Sequence, residues 1–157
     1  MRTIAAAALI AGAMSSAVKF SDCDGDYIYK SDLASTYTDP QVLEPPVHAT
    51  MYLNGIMTKA GHIDNLKIDT YWEGTYLHET TATEDFTDAA GQPQPITFTV
   101  DIPVIAPSGS YNLNILVGGT EAGENKDKTI GCVKAAFTFW ADIVLKILYF
   151  LLFPSFH

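Results

Sequence analysis

A period of two runs through most of this chain and constrains its fold more than any other feature. Ile96, Phe98, Val100 and Ile102 are separated by Thr97, Thr99 and Asp101. Tyr111, Leu113, Ile115 and Val117 enclose Asn112 and Asn114, and Val133, Ala135, Phe137 and Phe139 share one side of 131–139. Met51, Leu53 and Gly55 alternate with Thr50, Tyr52 and Asn54, as Leu66, Ile68, Thr70 and Trp72 do with Lys67, Asp69, Tyr71 and Glu73. Successive side chains of a strand point to opposite faces, so each stretch offers one face to a core and one to water.

Turn signals separate these stretches. Asp39-Pro40 and Pro45-Pro46 punctuate a polar segment at 24–46, and Ala106-Pro107-Ser108-Gly109 reverses the chain between two strands. Residues 18–23 read as a short first strand and 74–81 as a further one. The segment 83–94, acidic and then rich in Gly and Pro, reads as a loop, and 118–128 as an exposed connection. Strands of period two with no helical spacing between them predict an all-β chain. The expected architecture is a two-sheet antiparallel β-sandwich with one shared core.

Composition narrows the function. Apolar residues make up 48% of the chain and charged ones 17%, enough for a real core. The formal charge is −9, with no basic run. Such a chain repels phosphate backbones, so nucleic acid is excluded as a partner.

Both termini depart from the strand pattern. Arg2, the apolar run 4–14 and the small residues Ser15-Ser16-Ala17 have the layout of a secretory signal peptide over 1–17, cleaved after Ala17. The sandwich is then expected over 18–139. In the segment 140–157, Trp140, Ile143, Val144, Ile147, Leu148, Leu151 and Leu152 recur at helical spacing. Asp142 and Lys146 interrupt it, and an apolar stretch over 143–153 is about half a bilayer core as a helix. A C-terminal apolar helix packed on the domain, a membrane-seeking segment and read-through beyond the domain are all open readings. Cys23 and Cys132 are the only cysteines. An even pair in an oxidising compartment suggests a disulfide joining the mature start to the last strand, with two buried thiols as the other possibility.

Motifs for chemistry are sparse. Asp22, Asp24 and Asp26 match the first ligands of a calcium loop, but Tyr27 stands where its glycine belongs and Leu33 where its bidentate glutamate belongs. His48, His62, His78 and His157 show no metal-ligand spacing, and no G-x-S-x-G elbow occurs. The chain is therefore read as a non-enzyme, with no metal and no cofactor.

The apolar faces have two readings. They either fill a closed core or leave a cavity between splayed sheets, and alternation is the same for both. The run Asp101-Ile102-Pro103-Val104-Ile105-Ala106-Pro107-Ser108-Gly109-Ser110-Tyr111-Asn112-Leu113, then Gly131-Cys132-Val133 and a closing strand, bears on this choice. With Asp22-Cys23 after the signal, it resembles the MD-2-related lipid-recognition (ML) domain family, which includes the Niemann–Pick type C2-like carriers. The resemblance covers about 18–139. It implies an immunoglobulin-like sandwich with a lipid between its sheets and a Cys23–Cys132 disulfide. The further loop cysteines of many members are absent here, and the tail after Phe139 is foreign to the family.

The expected function is thus binding and transfer of a sterol, fatty acid or phospholipid. The wall residues expected on the first strands are Met51, Leu53, Ile68 and Trp72. Phe98, Val100, Tyr111, Leu113, Ile115, Phe137 and Phe139 are expected to complete the wall from the later ones. The protein is read as a monomer, secreted or in the lumen of an endosomal or lysosomal compartment, with transient membrane contact through the tail. The alternative is a secreted module with a closed core that recognises a protein or a glycan.

Overall fold

The computed structural model describes residues 15–124 and 127–139. Residues 1–14, most of the segment read as a signal peptide, and the apolar segment 140–157 lie outside the described residues.

The strands are β1 (Lys19–Asp22), β2 (Tyr29–Ser31), β3 (Tyr37–Asp39), β4 (Val47–Leu53), β5 (Gly55–Met57), β6 (Gly61–Trp72), β7 (Thr75–Asp88), β8 (Ile96–Ile102), β9 (Gly109–Glu121) and β10 (Lys128–Phe139). They form an all-β, immunoglobulin-like sandwich. One sheet has the order β1-β10-β9-β6-β7, and the other has the order β3-β4-β8. β2 and β5 form a separate two-stranded ribbon, and every pairing is antiparallel.

The alternation read from sequence is the alternation of burial. On β9, Tyr111, Leu113, Ile115 and Val117 are buried, while Asn112 is exposed and Asn114 half-buried. Val133, Ala135, Phe137 and Phe139 face the same core from β10. Met51 and Leu53 on β4 and Ile96 on β8 meet them from the other sheet, all at 0% exposure. The interior is apolar on both inner faces, which is the arrangement that removes the most apolar area from water.

Several expectations change. The connection read over 118–128 is shorter, because β9 runs on to Glu121 with Gly118 and Gly119 paired to both β6 and β10, and the polar segment 24–46 holds the short strands β2 and β3. The segment 83–94 is not all loop, because β7 continues to Asp88 and pairs with β6 as far as Gly61. Threonines favour the pleated backbone, Ala82 and Phe86 are half-buried, and the acidic side chains sit on an edge strand where water solvates them. The apolar stretch at 48–58 is not one strand either. It breaks at Asn54, whose side-chain amide donates to the Ser35 carbonyl at 2.6 Å, and resumes as β5 in a different sheet.

The N-terminal end of the described chain is tied to the last strand. Ser16 N–H donates to the Thr138 carbonyl and Thr138 N–H donates to Ser16 Oγ, both at 2.9 Å. A Cys23–Cys132 disulfide follows, with 5.6 Å between the Cα atoms. It fastens the end of β1, the outermost strand of the larger sheet, to β10.

Candidate functional site

The two layers are unequal, and a cavity follows from that inequality. The larger sheet has five strands and the β3-β4-β8 sheet three. β7 is paired only to β6, and β8 only to β4. The inner faces of β6 and β7 therefore extend past the β8 edge with no strand over them. A cavity of about 500 Å³ lies there.

Its walls come from both layers. Ile68, Tyr111, Leu113 and Phe137 line it from the larger sheet, and Val100 and Ile102 line it from β8. The connection from β8 to β9 adds Pro103, Ile105, Ala106 and Pro107 at the rim. Ile105 is 84% exposed and the neighbouring Val104 58%, so the rim presents apolar side chains to solvent.

Local sequence explains how this rim is held. Tyr111 stacks between Phe137 and Phe139, with ring centroids 5.5 and 4.9 Å away. Its hydroxyl donates to the Pro107 carbonyl at 2.8 Å, and burial pushes its phenol up from the ordinary value. Trp72 Nε1–H donates to the Ser108 carbonyl at 3.2 Å, and Ser110 N–H donates to Glu73 Oε1 at 2.6 Å. A side chain at Gly109 would collide with Trp72 and Glu73, and its φ of 141° also favours glycine. The Pro-Ser-Gly turn is thus clasped by the β6–β7 hairpin beside the cavity.

The sequence-predicted wall residues divide into two groups. Ile68, Val100, Tyr111, Leu113 and Phe137 line the cavity. Met51, Leu53, Ile115 and Phe139 are fully enclosed core instead, and Phe98 is buried beside them. Trp72 is half-buried and serves the clasp. Alternation marks a residue as inward but says nothing about whether the opposite layer reaches it.

The sequence reading missed Thr70, Leu77, His78 and Thr80, which also line the cavity. Thr70 and His78 are register partners on β6 and β7, and Thr80 lies opposite Ile68. Leu77 is the extra residue where the β6–β7 register shifts between Thr70 and Tyr71. A bulge leaves no mark in the hydrophobic pattern.

Charge sits elsewhere. Lys59 and Lys128 each pair with Glu121, at 2.7 and 3.2 Å, and hold its carboxyl below the ordinary range. His62 contacts Asp64 at 3.1 Å and Asp85 at 3.4 Å. Among the described residues no three His, Cys, Asp or Glu side chains are grouped to hold a metal.

No family model matches the chain, and no curated protein matches it. Solved structures similar to it include chicken MD-1 complexed with lipid IVa, at 12% identity and a TM-score of 0.45, covering 79% of this chain and 90% of that one. The C-terminal domain of wzt is similar at 13% identity and a TM-score of 0.46, covering 81% of each chain. Spo0M, a sporulation control protein from Bacillus subtilis, is similar at 16% identity and a TM-score of 0.39, covering 87% of this chain and 56% of that one.

Proposed function

We propose that this protein binds and carries a lipid, whose apolar portion occupies the cavity between β7 and β8. The cavity itself carries the reading. Its volume of about 500 Å³ falls within the range of small-molecule sites, roughly 300–1,000 Å³, and its walls are mainly apolar. A closed-core interaction module would need no such space.

Binding needs no covalent step. Each buried methylene contributes about 0.8 kcal/mol, which is about fourfold in affinity. The ligand classes in view are sterol, fatty acid and phospholipid. The disulfide supports a secreted or luminal setting. The apolar rim at Val104 and Ile105 supports transient membrane contact, to which the segment 140–157 would add, and the carrier is taken as a monomer.

The test is a titration of the delipidated protein with single-chain lipids of increasing length. Affinity should rise about fourfold per methylene and level off once the chain outgrows the cavity. Val100→Trp, which projects a large ring into the cavity, should shorten the length at which it levels off. No saturable binding at any length would refute the proposal, as would a length dependence that Val100→Trp leaves unchanged.

A further inference from the structure

The lining of the cavity carries a polar strip that an apolar carrier does not need. Thr70, His78 and Thr80 stand together on the inner faces of β6 and β7. Among the described residues none of the three side chains makes a hydrogen bond or ion pair. Beside them runs the unpaired edge of β8, whose main-chain groups have no strand partner.

The same lining lacks compensation for charge. No Lys or Arg lines the cavity. Its one formal charge, Asp101, alternates with the inward Val100 and Ile102, and its carboxylate pairs with His48 Nδ1 at 2.6 Å on the outer face of the sheet. Glu79, next to His78, is likewise turned outward to Lys67, at 3.7 Å. Thr70 is half-buried and His78 and Thr80 are exposed, so a head group bound by them sits at the cavity mouth, where an anionic one meets no cation and lies near the Asp101 carboxylate that repels it. A hydroxyl would lose nothing, because threonine and histidine side chains both donate and accept.

We infer that the polar end of the ligand is an uncharged hydroxyl, bound by Thr70, His78 and Thr80, so that the cavity selects neutral alcohol-headed lipids over carboxylates and phosphates. This inference rests on the lipid-cavity reading and adds a head-group rule to it. Thr70 and His78 sit opposite each other on neighbouring strands and Thr80 lies diagonally from Thr70 on the same face, so the three side chains line one side of the cavity.

The experiment uses four probes with the same chain: dodecanol, its methyl ether, dodecanoate and dodecylamine. Each is titrated into the delipidated full-length protein at about pH 8, where the fatty acid carboxyl is ionised. Dodecanol should bind about tenfold tighter than the ether or the carboxylate. In Thr70→Val/Thr80→Val, a swap that keeps side-chain shape, the ratio of alcohol to ether affinity should fall to about one. Equal binding of alcohol and ether overturns the inference, as does tighter binding of the carboxylate or the amine, or a ratio that the double variant does not move. Binding of none of the four overturns the cavity reading itself, a different outcome from equal binding of all.

Discussion

Replacing both cysteines by serine tests how the sandwich is stabilised. The Cys23–Cys132 bridge closes a loop of sequence separation 109. The loop-entropy relation assigns such a closure about 4.7 kcal/mol, almost all through restriction of the unfolded chain. The folded state loses little, because β1 keeps its register with β10 from Lys19–Ala136 to Asp22–Val133. A domain of this size has about 5–15 kcal/mol in total, so the double variant should lose between about a third and nearly all of it. Urea unfolding followed by circular dichroism measures the difference. With a slope of about 2 kcal/mol per molar, the midpoint should fall by about 2 M. The slope itself should rise, since the unlinked chain expands further on unfolding. The bridge lies at the β1 edge, and the cavity at the β7 edge of the same sheet. The variant should therefore bind lipid unchanged at low temperature. A loss under about 1 kcal/mol would refute the loop argument. So would hydrogen exchange showing that β1 alone frays while the global stability stands.

Further outcomes follow from single contacts. Tyr111→Phe removes the donor to the Pro107 carbonyl and should cost about 1 kcal/mol in thermal unfolding, with faster exchange across 103–107. Ile115→Ala deletes fully enclosed core and should cost about 2–5 kcal/mol, whereas Ile105→Ala, at an exposed rim position, should stay within about 0.5 kcal/mol and weaken lipid binding only. Tyr29 is buried with its hydroxyl donating to the Gln94 carbonyl at 3.2 Å, and burial raises its phenol well above the ordinary value near 10. The folded state then holds its proton while the unfolded state releases it. Stability is complete below about pH 10 and falls as pH rises beyond it, a dependence that urea midpoints should show and Tyr29→Phe should flatten.

Much of the scaffold was legible in the residues. The alternation of 96–102, 111–117 and 131–139 gave strands whose buried faces match the expected ones. The cysteine pair formed the expected disulfide. Where the reading slipped, composition masked geometry. The acidic residues of 83–88 suggested a loop, although an edge strand tolerates them in water. Asn54 looked like one more polar position in an alternating run, although it ends β4 and lets β5 join another sheet.

The sequence by itself determined which side of each strand faces inward, since a period of two is a property of the local backbone. It also offered a single cysteine pair, Cys23 and Cys132, near the two ends of the sandwich, and the structure made that pair a covalent tie. Only the tertiary structure decided which inward residues are covered. Met51, Ile115, Ile68 and Leu113 are all buried in one core, but only Ile68 and Leu113 also border the cavity. The difference arises because five strands meet a narrower layer, and the number of strands in a sheet is set by pairings between residues far apart in the chain. No local pattern encodes that count, and the cavity, its polar strip and its apolar rim all depend on it.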